Sequence, residues 1–198
     1  MPRRTAEEAA ITRAALLAVA RRAFAEQGYR ATTLDGLAAA AGVTRGAVHH
    51  HFGDKRAMFI EVFEAVEQEL NDAVVTAALA APTDPLSQFR AGCRALFEFF
   101  GRPEYRRIAL GDAPAVLGLI EWYEVDRGIG MTTMRFGVQA LAAAGHLDPS
   151  RVAATTVLLY GALTEAAINL HTPGSPHTAD ELIETVEAFL SGVGEPRR

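Results

Sequence analysis

The chain of 198 residues has one cysteine, Cys93, and one lysine, Lys55. A single thiol excludes an internal disulfide and any metal site built from several cysteines. Proline is sparse, at nine residues against thirty-eight alanines. That mixture favours helix, because Ala loses no side-chain entropy there. No run free of charged residues reaches the roughly 18 that a bilayer span requires; the longest is Ala166 to Ala179. The start, Met1 to Glu8, turns acidic where a signal peptide would turn apolar. The expectation is a soluble cytoplasmic protein in a reducing compartment, with no membrane partner. Also missing are a Gly-rich phosphate loop, a nucleophile elbow and a paired-His metal spacing. Their absence argues against an enzyme and calls for no cofactor.

What is present is unevenly charged. The net charge is −5, which argues against indiscriminate binding to nucleic acid. Residues 1–56 nevertheless carry +4, while residues 57–198 carry −9. A basic first quarter on an acidic remainder suggests two jobs, one of which meets a polyanion.

The first quarter reads as short helices with clear punctuation. Leu17, Ala20 and Phe24 form an apolar stripe, and Gly28 stops the first helix. Thr33 is an N-cap for a second helix that Gly42 ends. Thr44 caps a third, two-turn helix over Arg45-Gly46-Ala47-Val48-His49-His50-His51. Gly53-Asp54 closes it, and Asp54 caps a long fourth helix from Lys55. Two short helices joined by a Gly-containing turn, with apolar anchors Leu37, Ala41, Val43 and Val48, make a helix-turn-helix. Leu37, Val43 and Val48 pointing at Phe24 and Phe52 would leave Arg45, Gly46, His49 and His50 outward. A helix fits the DNA major groove, where Arg45 can donate two bonds to a guanine edge and Gly46 permits close approach. Helix N-termini at Thr33 and Thr44 suit phosphates.

The run from Leu17 to Phe59 carries Gly28-Tyr29, Thr32-Thr33, Leu37-Ala38, Ala41-Gly42-Val43-Thr44, Gly46, His51-Phe52 and Lys55. It resembles the N-terminal domain of TetR-family repressors over about 45 residues. The resemblance implies an all-α homodimer: a three-helix DNA-binding domain, residues 1–56, and a helical ligand-binding and dimerisation domain, residues 57–198. Carried over by position, it places Thr33, Thr44, His49, His51 and Lys55 near phosphates of double-stranded operator DNA. It turns Arg45, Gly46, His49 and His50 towards bases. Similar proteins usually have Tyr where this chain has His49; imidazole is shorter and titrates, which alters that contact. The three consecutive histidines do not form a metal site, because neighbouring helical residues point about 100° apart. His51 has an alternative role in orienting the backbone beside Phe52. Arg3 and Arg4 read either as an arm towards DNA or as an inert terminus.

Beyond Lys55, cap signals predict helices to Ala80, from Pro85 to Phe100, near Tyr105–Leu110, from Val116 to Ala144, from Pro149 to His171 and from Thr178 to Leu190. The resemblance makes the last two, 149–171 and 178–190, the dimer contact. Leu159, Gly161, Ala162 and Ala166 offer close approach there, and Val186, Phe189 and Leu190 offer bulk. Glu165 and Asn169 stand four apart on one helical face, polar within an apolar helix. With Phe97, Phe100, Tyr105, Trp122 and Met131 they are the candidate lining of an effector pocket; ordinary core packing is the alternative. Tyr123 and Met134 belong to the same aromatic and Met set.

The reading is a ligand-responsive transcriptional regulator, a repressor released from a palindromic operator by a small, largely apolar effector. A ligand-independent regulator or activator, and a nonspecific architectural DNA-binding protein, are the alternatives.

Overall fold

The computed structural model describes residues 6–194; Arg3 and Arg4 lie outside them. Among the described residues every regular element is helical. In chain order they are α1 (Ala6–Ala31), α2 (Leu34–Ala40), α3 (Arg45–Phe52), α4 (Lys55–Ala80) and α5 (Pro85–Phe100). Then follow α6 (103–117), α7 (Leu119–Ala143), a 3-10 turn Pro149–Arg151 leading into α8 (Val152–Leu170), and α9 (Ala179–Gly194). The chain forms two compact units, one of residues 6–66 with 103–124, the other of 67–102 with 125–194. Sequence reasoning placed a single boundary after residue 56. Instead the second half of the chain returns α6 to the first unit.

In the first unit, Leu16, Ala20 and Phe24 are buried along α1. The expected stripe began at Leu17, which is only half-buried. A spacing of four between Leu16, Ala20 and Phe24 keeps them on one face, whereas Leu17 is displaced by about 100°. Phe24 and Tyr29 each pack against the Phe59 ring in a T-shaped arrangement, with centroids 5.1 Å apart. Gly28 lies at φ 79°, ψ 166°, where the regular helix stops as its sequence implied; a further short turn carries α1 to Ala31. A Cβ there would sit 2.4 Å from Arg107 Nη2, the far end of a flexible side chain, so it is the backbone conformation that favours glycine.

The turn between α2 and α3 has a Schellman C-cap. Gly42 is left-handed (φ 67°), its N–H donates to Ala39 O, and Val43 N–H donates to Ala38 O at 3.0 Å. Thr33 Oγ1 accepts from Gly36 N–H at 3.1 Å and Thr44 Oγ1 from Ala47 N–H at 3.2 Å. Asp54 Oδ1 accepts from Ala57 N–H at 2.8 Å, opening α4 as its sequence implied. The buried anchors of the pair are Leu37, Ala38, Val48 and Phe52. Val43 and Ala41, expected as core anchors, are only half-buried at the turn.

Helix α6 is held against α1 by polar contacts. Arg21 makes a two-bond contact with Glu104, at 2.7 and 2.9 Å. Asp112 accepts from Tyr29 N–H at 2.8 Å, and Arg107 donates to Gln27 O at 3.1 Å. Over Arg106–Asp112 the helix widens into π turns, with Ala113 N–H reaching back to Ile108 O. The sequence predicted a break at Gly111–Pro114. The wider turn instead carries the chain into Pro114, which has no N–H to donate, and the break falls at Gly118 (φ 81°).

In the second unit, α5 carries Phe89, Cys93, Phe97 and Phe100 inward, and Leu159, Leu163 and Ala167 of α8 are buried with them. Arg90 pairs with Glu187 through two bonds, at 2.7 and 2.6 Å, and Arg94 with Asp180 at 2.5 Å. These tie α5 to α9. His171 Nε2 lies 2.6 Å from Phe97 O. Thr178 and Glu181 cap α9 reciprocally: Glu181 Oε2 accepts from Thr178 N–H and Thr178 Oγ1 from Glu181 N–H. Although no charge-free run is long enough, residues 149–170 do meet the length and mean hydropathy (1.2) of a membrane span. Glu165 sits within that helix.

Replacing Asp112 by Ala leaves Tyr29 N–H without its acceptor. The expected loss is about 1–2 kcal/mol, read as a lower urea midpoint with unchanged slope. An unchanged midpoint would show that this contact does not hold α6 in place.

Candidate nucleic-acid interface and effector cavity

Helix α3 has two buried side chains, Val48 and Phe52, and an outer face. Arg45, Gly46, His49 and His50 are all exposed on it, while His51 is half-buried with its ring centroid 6.3 Å from that of Phe52. A Cβ added at Gly46 would meet only Thr44 Oγ1, at 3.8 Å. Among the described residues no contact therefore requires glycine at 46. Among the described residues no group of His, Cys, Asp and Glu is disposed to hold a metal.

Two charged groups at this face are already engaged. Arg45 Nη1 donates to Asp35 Oδ2 of α2 at 3.0 Å, with both side chains about two thirds exposed (66% and 67%). Such an open ion pair is weak, at roughly 0–1 kcal/mol, so it points Arg45 without fixing it. Lys55 differs more from expectation. Its ammonium donates to Tyr29 O and Thr32 O, both at 2.9 Å, and lies 4.1 Å from the Tyr29 ring centroid. The expected phosphate charge thus satisfies carbonyls at the end of α1, a role that a sequence scan for basic groups cannot distinguish. Arg13, not singled out from sequence, lies over the Phe52 ring at 4.7 Å and pairs with Glu61. It braces α3 from behind.

The second unit contains a cavity of about 290 Å³, lined by α4, α5, α7 and α8. Its walls are mostly apolar: Leu70, Val74, Phe89, Leu96, Phe100, Met134 and Leu163 among others. Of the residues predicted to line a pocket, Phe100 does so. Phe97 is buried without lining this cavity, and Met131 is half-buried beside it in sequence, where Met134 takes the lining position. Tyr105 and Trp122 belong to the first unit, Tyr105 in its core and Trp122 donating through Nε1 to Ala109 O at 3.0 Å. Glu165 and Asn169 are exposed on the outer face of α8, so their shared face points away from the cavity.

The cavity's polar groups were missed by the sequence reading. Asp126 is 7% exposed and Glu67 3% exposed. Tyr160 Oη donates to Asp126 Oδ2 at 2.7 Å and lies 3.0 Å from its backbone oxygen. Gly130 makes room for this: a Cβ there would be 2.9 Å from the Tyr160 ring. Thr133 Oγ1 donates to Asn71 Oδ1 at 2.6 Å, joining α7 to α4. Burial pushes the Asp126 carboxyl above its ordinary range, against the lowering effects of Tyr160 and Arg127. Burial, with the Glu187 charge second, pushes the Cys93 thiol up to about 12. A thiol held in that form is a poor nucleophile and serves as lining. The spacing of Asp126, Gly130, Thr133 and Met134 at i, i+4, i+7 and i+8 was the available signal, hidden because both Asp and Thr read as surface residues.

Taken together, the paired short helices with an outward α3 and the cavity-bearing helical second unit define a helix-turn-helix regulator architecture. Residues 16–62 match the family described as "Bacterial regulatory proteins, tetR family". Residues 86–193 match "Tetracyclin repressor-like, C-terminal domain". The crystal structure of a TetR-family transcriptional regulator from Pectobacterium atrosepticum is 35% identical, with a TM-score of 0.80, over 98% of this chain and 100% of that one. The HTH-type transcriptional regulator AcrR of Shigella flexneri is 39% identical over 56% of this chain and 51% of its own length. The HTH-type transcriptional repressor BepR of Brucella suis is 35% identical over 54% and 51%. The chain thus spans about half the length of these curated relatives. It belongs to the TetR family.

Lys55→Met should remove two charge-assisted bonds to buried-side carbonyls and cost about 1–3 kcal/mol in chemical denaturation; a neutral result would return Lys55 to the surface. Asp126→Asn keeps an acceptor for Tyr160 and removes a desolvated charge. Because the folded carboxyl titrates above its unfolded value, its ionisation costs stability at neutral pH, and that cost fades as pH falls through the raised value. The variant should therefore unfold a few degrees higher than the parent at pH 8, with the gap closing in acid. A gap that stays constant with pH would show that Asp126 is not penalised by burial.

Proposed function

We propose that this protein is a ligand-responsive transcriptional repressor that binds a near-palindromic operator as a homodimer in the cytoplasm and leaves it when a small, largely apolar effector fills the second-unit cavity. The observation that carries the reading is the outer face of α3: Arg45, Gly46, His49 and His50 exposed together, with a glycine that no internal contact demands. An unobstructed helix of this width suits the major groove. Thr33 and Thr44, with His49 and His51, stand where phosphates would flank it. Lys55 has two of its three donors engaged inside the protein, which leaves one for a phosphate.

Dimerisation is supported by an apolar face with no partner among the described residues. Leu158 is 71% and Phe189 68% exposed, and Gly161, Ala162, Glu165 and Asn169 continue the same open face of α8. Leu159 and Leu190, expected at this contact, are instead buried within the chain. A second copy would cover the apolar face and explain why a helix of this hydropathy sits at a surface. Two reading heads must then meet two half-sites at once, so a few Å of misfit suffices for about 1–3 kcal/mol of coupling between effector and operator. The named relatives are transcriptional regulators and a repressor, which is the kind of function proposed here.

Competition between the protein's own upstream DNA and scrambled duplex tests the reading: specific DNA should win by at least about 10³-fold. Equal competition would favour a nonspecific architectural protein. Arg45→Ala should relax preference at one operator position at a cost of about 1–3 kcal/mol. Asp35→Ala, which frees Arg45 without removing it, should blunt that same preference less. If base preference is unchanged in Arg45→Ala, the guanine contact is wrong.

A further inference from the structure

We infer that operator binding by this protein is coupled to proton uptake, with His49 and His50 of α3 taking up the protons, so that acid strengthens its hold on DNA. The inference rests on the DNA-reading face proposed above and adds a form of regulation to it. His49 and His50 are neighbours, both exposed, on the outer face that also carries Arg45 and Gly46. Among the described residues neither imidazole makes a hydrogen bond or an ion pair, and the His50 ring meets only that of His51, centroids 5.6 Å apart. The charged groups on the elements around α3 are engaged elsewhere. Asp35 of α2 pairs with Arg45, and Arg13 of α1 lies over Phe52 and pairs with Glu61 of α4. Asp54 caps α4, Lys55 holds the Tyr29 and Thr32 carbonyls, and Arg56 pairs with Glu121. No carboxylate therefore holds a proton on either ring before DNA arrives.

Imidazole is the side chain whose charge changes between about pH 5 and 8, whereas Arg stays charged throughout. Of the outward groups on α3, only the imidazoles can therefore respond to pH in that interval. A duplex carries about one negative charge per 1.7 Å of its axis, and a nearby opposite charge favours the protonated ring. The hydrogen-bonding arithmetic points the same way. A neutral ring has one N–H to donate and a protonated ring has two, while phosphate oxygens and the N7 and O6 of guanine only accept. Each proton comes from the solvent and is consumed as the complex forms, so mass action raises affinity as pH falls. A tenfold preference of the duplex for each charged ring would make the pair worth up to about a hundredfold, less what two adjacent like charges lose by repulsion. His51 is half-buried beside Phe52 and stands apart from this outward pair.

The test is the affinity of the full chain for its own upstream duplex at pH 8 and at pH 6, with salt held fixed, in the parent and in the double variant His49→Gln, His50→Gln. Parent affinity should rise at least about tenfold at pH 6, and the double variant should lose most of that rise. Calorimetry of the parent at pH 7, in two buffers of different ionisation enthalpy, should report uptake of about one proton per protomer on binding. That measurement needs no variant. An affinity that ignores pH would overturn the inference, as would binding without proton uptake. So would a rise that survives in the double variant, which would move the effect to another group, such as Asp126, whose carboxyl burial raises. Scrambled duplex is titrated alongside at both pH values. Specific binding that is indifferent to pH overturns this inference alone, whereas no preference at either pH overturns the repressor reading with it.

Discussion

Helix α3 spans eight residues, too few to persist in water without help, so its form depends on what is packed behind and capped at its ends. Val48 and Phe52 anchor it from within, Thr44 satisfies its first turn, and Arg13 lies over Phe52. Lys55 closes the adjacent end of α1 by taking the Tyr29 and Thr32 carbonyls. Each support is placed on the inner side, and that placement is what frees the outer side. Were any outward residue recruited into the core, the chain would gain stability and lose the open face proposed for DNA.

The second unit faces the converse problem. A wall of Phe, Leu and Val is easy to fill with itself, yet here a space remains with carboxylates at its edge. Gly130 and Tyr160 show that the polar part is built: the glycine is where the ring must pass, and the ring ends on Asp126. Stability is given up whenever Asp126 ionises, because burial raises its carboxyl. Groups so perturbed cluster at functional sites.

The sequence made legible whatever is local. Caps at Thr33, Thr44, Asp54, Asp84 and Asp148, and stops at Gly42, Gly101 and Gly145, depend on residues within a few positions of one another, and each is visible in the string. The outward set on α3 follows from the same arithmetic once Val48 and Phe52 are taken as inward. Periodicity does not say which neighbour a face meets. Glu165 and Asn169 do share a face, but it is turned outward rather than into a cavity. Tyr105 and Trp122 look like pocket aromatics until α6 is seen to fold back onto α1. The π turns over Arg106–Asp112 have no signature that would separate them from a broken helix. Lys55 reads as nothing more than a surface charge because the carbonyls it also satisfies lie 26 and 23 residues earlier.

Position 46 has a consequence for how such a protein changes over time. Packing makes no demand on that residue, yet a glycine inside so short a helix costs about 0.5–1 kcal/mol relative to alanine. Most positions in a small folded unit are selected for the core they support as well as for the surface they present, and each demand restrains the other. At residue 46 the core is silent. Almost any side chain could stand there without disturbing Val48 or Phe52, and many would make α3 firmer, so the outward face can be altered with its scaffold intact.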